Sequence, residues 1–170
     1  MIHADSSGGL GDTGTVLDRR ELMRADDVLQ RFFREQAAGL TPRRAYRMQR
    51  AEADLRACLE HLAPLLFSDQ ERALLSLERQ FEPAEAAARV ASAEAVLLVL
   101  PVFLDEPRWH GTDLEDRRLR IRLASDLSEQ ILRSSLRRGV DVGRAAGVVD
   151  AAVRHEIWML RQEAAAGRER

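Results

Sequence analysis

Apolar side chains along this chain return every three or four positions, and no stretch shows the strict alternation of a half-buried strand. Leu22, Ala25, Leu29, Phe32 and Gln36 set the spacing of a first helix, from near Asp18 or Asp26 to Ala38, with Val28 and Phe33 widening its stripe. Gly39 is its expected stop. Thr41-Pro42 then predicts a start, because proline at the first helical position gives up an amide that would lack a partner anyway. Met48, Ala51, Leu55, Cys58, Leu59 and Leu62 form the apolar stripe of this second helix, and Pro64 is its expected end.

Ser68 and Glu71 have capping-box spacing and open a short third helix with Leu74, Leu75 and Phe81 on its apolar side. Pro83 restarts the chain as a longer fourth helix whose second half, Val96 to Leu100, is apolar all round, the pattern of a helix at the centre of a fold. Pro101 is expected to kink or end it. After a loop, Asp105–Gly111, a second capping-box pattern at Thr112 and Glu115 begins a fifth helix that reaches Arg138 and stops at Gly139. It has one stripe at Leu114, Ile121, Ala124, Ile131 and Leu132, and another at Leu119, Leu123 and Leu127. The last helix runs from near Asp141 to about Ala165, with Val142, Ala146, Val149, Val153, Ile157 and Leu160 on one stripe.

The expected fold is therefore all-α, a single antiparallel helical bundle of five to six helices. Residues 1–15, rich in Gly, Ser, Asp and Thr and without hydrophobic period, read as a disordered tail ahead of a helical-bundle domain over 16–170. The abundance of Ala, Leu, Arg and Glu agrees, since these residues lose little entropy in a helix.

Charge and cysteine content narrow the functions. All 26 basic residues are Arg, which reads as the mark of a GC-rich bacterial genome, and the formal net charge of −2 argues against a DNA-coating protein. A single cysteine, Cys58, excludes an internal disulfide and a cysteine zinc site. The first residues lack a secretory signal, and the apolar run Ala95–Leu104 is too short to span a bilayer, so the expected location is cytoplasmic. His3, His61, His110 and His155 lack the spacings of helical metal sites, so no metal or other cofactor is expected. Gly8-Gly9-Leu10-Gly11 has neither the strand nor the lysine of a phosphate loop. Cys58 sits on an apolar stripe, where a buried inert thiol is expected.

Three clusters remain as candidates. The first is the loop Asp105, Glu106, Arg108, Trp109 and His110, which concentrates carboxylates, a guanidinium, an indole and an imidazole between Pro and Gly breaks. Its competing reading is structural, with Trp109 plugging the end of the bundle and Arg108 paired with an acid. The second is Arg43, Arg47 and Arg50, a basic face at the start of the second helix, interrupted by Asp54 and flanked by Glu52. The third is Trp158, nearly opposite the buried stripe of the last helix and bracketed by Arg154 and Arg161. Tryptophan and arginine dominate interface hot spots, which makes this face the leading candidate for contact with another protein or a second copy of the chain; its competing reading is that another segment of the same chain, such as Val16–Leu17, covers the indole.

The segment Val28–Leu59 resembles the helical core-binding domain of tyrosine recombinases at Phe32 or Phe33, Gly39-Leu40-Thr41-Pro42, Tyr46 and Leu55. That family's threonine two residues after the proline is Arg44 here, and Tyr46 stands closer to the proline than the family's pattern has it. The resemblance implies DNA contact at most, because the remaining chain reads as further bundle with no room for an Arg/His/Tyr catalytic domain. It does not place the chain in that family. The sequence thus favours a non-catalytic protein-interaction module or homodimer, then a DNA-binding accessory protein, and last an enzyme built on the Asp105–His110 loop.

Overall fold

The computed structural model describes residues 23–109, 113–135 and 140–167. The expected tail, the Thr112 cap and the Gly139 stop lie outside them. Among the described residues the chain is helical without strands: α1 (Ala25–Ala37), α2 (Pro42–Leu66), α3 (Asp69–Phe81), α4 (Ala86–Val90), α5 (Ala93–Asp105), α6 (Leu114–Ser135) and α7 (Val140–Ala166). A 3-10 turn, Pro107–Trp109, lies between α5 and α6.

Among the described residues the helix count is seven rather than five to six, because the single helix expected after Pro83 is two. The chain breaks between α4 and α5, where Ala91 and Ser92 take extended backbone angles. There the segment entering α1 pairs with it: the Ala25 amide donates to the Ala91 carbonyl at 3.0 Å, and the Ala93 amide donates to the Met23 carbonyl at 2.8 Å. The Arg24 guanidinium donates to the Val90 carbonyl at 2.8 Å. The Val90 and Ala91 carbonyls and the Ala93 amide, which a continuous helix would have paired internally, are thus satisfied by a segment far away in sequence. α4 opens on Glu85, held at φ 59°. This left-handed conformation costs a non-glycine residue on the order of 1 kcal/mol.

Both internal prolines are also tolerated. Pro64 lies within α2, which continues to Leu66, and Pro101 lies within α5, which continues to Asp105. In α5 the continuation buries Phe103 at 1% and Leu104 at 3% exposure. Burial of two such side chains contributes roughly 3–6 kcal/mol, which offsets the ~3 kcal/mol that an internal proline costs.

α5 is the centre of the fold. It packs against α1, α2, α6 and α7, and Val96, Leu97, Val99, Leu100 and Phe103 are all buried. The all-round apolar expectation fails only at Leu98, which is half-exposed. α3 is peripheral. It packs chiefly on α4 and buries only Leu75, leaving Leu74, Leu77 and Phe81 outward, against the expectation for Leu74 and Phe81. Its amino terminus is held by the Ser68–Glu71 capping box. Thr41 makes no side-chain cap, so Pro42 alone carries that start signal.

Arginine–carboxylate pairs tie α2 to its neighbours. Arg56, 7% exposed, reaches Asp26 of α1 at 2.7 Å, Glu52 at 3.0 Å and Glu85 at 3.0 Å. Glu60 accepts from Arg79 of α3 and, at 2.9 Å, from the Ala87 amide at the start of α4. Asp54 pairs with Arg120 of α6, whose guanidinium lies 4.9 Å from the centre of the Phe103 ring. Arg120 is only 3% exposed, and its Nε and one terminal nitrogen meet no acceptor among the described residues.

A buried ion pair is costly to break from one side and cheap to replace by an apolar group of similar volume. Asp54→Ala, which leaves the Arg120 charge buried alone, should therefore lower unfolding free energy by about 2–3 kcal/mol. Arg120→Met keeps the packing on Phe103 and leaves only Asp54, whose side chain is 31% exposed and open to water, so it should stay within about 1 kcal/mol of the parent. Denaturant titration of both variants checks this, and a larger loss for Arg120→Met than for Asp54→Ala would contradict it.

Candidate functional site

The expected basic face on α2 is largely answered by acids. Arg47 donates to Asp113 at 2.7 and 2.8 Å and to Asp116 at 2.6 Å, and lies 3.1 Å from Glu115. Arg43 is 3.9 Å from Glu115. These acids open α6, where Asp113 also accepts from the Asp116 amide at 2.9 Å and so caps the helix. Arg50 remains exposed. Arg47 thus fastens α2 to the start of α6 and is withdrawn from the set that would have faced DNA.

Beside this clasp the structure assembles a groove that helical spacing alone did not show. Its cavity volume is about 350 Å³, with Leu40, Met48, Leu119 and Leu123 among its walls and Arg44, Arg118 and Arg122 at its rim. The sequence signal was available, since Arg118 and Arg122 stand four apart, but their alignment with Arg44 depends on how α2 and α6 pack.

The Asp105–His110 cluster is only partly visible. Arg108 pairs with Glu106 at 3.1 Å and lies 3.2 Å from Nε2 of His61 on α2. Asp105 is exposed. The Trp109 side chain and His110 lie outside the described residues. Asp105 and Glu106 line one end of a shallow groove of about 380 Å³ between α5 and α7, with His155 across from them. Cys58 is fully buried, and that burial pushes its thiol up to about 12, far from the thiolate that a nucleophile needs. Among the described residues no group of three or more His, Cys, Asp or Glu side chains is placed to hold a metal ion.

The third cluster lies on α7. Val142, Ala146, Val149 and Val153 are buried against the core. At about 100° per residue, Gly143, Gly147, Asp150, Arg154, Trp158 and Arg161 fall within about 80° of one another on an exposed side whose centre lies about 110° from that stripe. Trp158 is 54% exposed, and Arg154 and Arg161 are exposed with it. Ile157, expected on the buried stripe, is instead 36% exposed beside Trp158, because it sits at the edge of the buried arc. The indole stacks on the His155 ring, with centroids 6.2 Å apart and planes 27° apart. Arg154 pairs with Asp150 at 2.7 Å. Between α6 and α7, Gly143 and Gly147 help to line a groove of about 340 Å³.

Among the described residues, fold and site together define an all-helical protein whose long last helix presents tryptophan, arginine and glycine on one outward face. No protein-family model, curated protein or solved structure matches the chain. Among the described residues no helix is long and apolar enough to cross a membrane.

The Arg47 clasp has a consequence in acid. The hydrogen bond from Arg47, with the backbone amide of Asp116, holds Asp113 well below the usual carboxylate range. A carboxylate depressed on folding stabilises at pH values above its unfolded value of roughly 4, and that contribution fades as pH falls toward the folded value. Asp113→Asn should therefore be less stable than the parent at neutral pH by an amount that is constant down to pH of about 4 and shrinks below it. Thermal melts of both proteins across this range measure the gap. A gap that is absent at neutral pH, or that closes already near pH 6, would contradict the assignment.

Proposed function

We propose that this protein is a non-catalytic interaction module that binds another protein through the outer face of α7, with Trp158 as anchor and Arg154 and Arg161 beside it. The observation that carries this reading is the exposure of Trp158, at 54%, together with the next residue, Ile157, on a helix whose Val142, Ala146, Val149 and Val153 pack into the core. Two adjacent large apolar side chains in water are costly, at roughly 25 cal/mol per Å² of apolar surface. Covering them is the kind of gain on which interfaces are built. The stack on His155 restricts the indole before any partner arrives, which lowers the entropy lost on binding.

A second reading is supported by the groove rimmed by Arg44, Arg118 and Arg122. Arg44, Arg118 and Arg122 beside Leu40, Met48, Leu119 and Leu123 fit a polyanion or an acidic segment of a partner, with the one carboxylate of the lining, Glu115, held by Arg47, and they carry the nucleic-acid reading now that Arg47 is engaged. An enzymatic reading has less behind it, since the Asp105–Glu106 groove is shallow and Cys58 is protonated and sealed.

A photo-activated cross-linking residue placed at Trp158 tests the first reading in extract of the native cells. The expected result is a discrete protein adduct, formed more efficiently than from the same residue placed at Leu65, which is 81% exposed on α2. Equal, diffuse labelling from both positions would contradict it.

A further inference from the structure

Gly143 and Gly147 stand inside α7, and both are exposed. Among the described residues, a Cβ added at either would meet nothing within 4 Å. Glycine in a helix interior is markedly less favourable than alanine. Nothing among the described residues asks for it at these two positions, since alanine would fit both. Two glycines one turn apart on an outward face are what a second helix needs to approach closely. The same face carries Asp150 and Arg154 at its middle, and Ile157, Trp158 and Arg161 toward its other end.

These positions are arranged symmetrically about a point near residue 152. Asp150 and Arg154 are equally far from it, as are Gly147 and Ile157, and Gly143 and Arg161. Trp158 falls within a residue of the level opposite Gly147. A helix face with this order is complementary to itself when turned end for end, which is the requirement for a two-fold interface.

We propose that the occupant of this face is a second copy of the chain, with the two α7 helices packed antiparallel about residue 152. This deepens the proposed function and rests on it, by naming the partner as the chain itself. In the pair, Trp158 of one protomer covers the Gly147 backbone of its partner. Ile157 enters the partner's α6–α7 groove, whose cavity volume is about 340 Å³. The glycines leave the room that the indole fills. Asp150 of each protomer meets Arg154 of the other, adding to the pair each already makes within its own helix at 2.7 Å. Glu129 and Asp150 give the groove an acidic rim, opposite the end that carries Arg154 and Arg161. Of the basic groups nearby, Arg133 is paired with Glu129, and Arg144 lies on the flank, about 100° from Gly143. A parallel pairing would instead set Trp158 against Trp158 and Asp150 against Asp150, leaving both grooves empty.

Single-cysteine cross-linking with a short bismaleimide distinguishes these arrangements, because Cys58 is buried and unreactive. Ala151→Cys places a thiol beside the two-fold axis and should give a covalent dimer in high yield. Arg161→Cys places the two thiols about 27 Å apart along the helices, and no cross-link should form. Efficient cross-linking at Arg161→Cys would overturn the antiparallel pairing. Gly147→Ala is the companion test: it should raise the melting temperature of the protomer yet weaken self-association at least about tenfold in sedimentation equilibrium. Unchanged association in that variant would show that the partner helix does not approach there. A chain that stays monomeric at every concentration overturns the self-pairing. The wider reading survives that result if the Trp158 cross-linker captures a different protein, and both fail if it captures none.

Discussion

The rest of the structure depends on hiding α5. Thirteen residues that are almost entirely apolar cannot lie at a surface, and covering them takes helices on several sides: α1, α2, α6 and α7. The tolerance of Pro101 follows from the same demand, since ending the helix there would leave Phe103 and Leu104 without their burial. So does the break before α5. Splitting one long helix into α4 and α5 lets the entry to α1 pair with the extended residues between them.

Around this apolar centre the charges act as fasteners. α2 holds α1 through Arg56, α3 and α4 through Glu60, and α6 through Arg47 and Asp54. The planar, multi-donor guanidinium suits this work, because one Arg56 can serve three carboxylates from different parts of the chain. A lysine ammonium, a single point charge, would not hold the same geometry. The charged residues that read as a basic DNA-facing helix thus turn out to include a structural clasp.

What was legible in the sequence is what local spacing determines. The stripes of α1 and α2, the Ser68–Glu71 cap, the Gly39 stop at φ 74° and the central place of Val96–Leu100 all follow from neighbours within a turn or two. What was not legible depends on partners far along the chain. Arg47 reads as part of a basic face until Asp113 and Asp116 are brought to it, and the fourth helix reads as continuous until Met23 and Arg24 arrive beside Ala91 and Ser92. The α7 surface divides in the same way. Trp158 stood out from its place opposite the buried stripe, while the open space around Gly143 and Gly147 and the outward turn of Ile157 needed the coordinates.

If burial of α5 is the organising constraint, the backbone of that helix should open only when the whole fold does. Native-state amide hydrogen exchange measures this residue by residue. The amides of Leu97 to Leu100 should be the slowest in the protein and exchange at the rate of global unfolding, with α3 opening well before them. Exchange of those amides as fast as the amides of α3 would contradict it.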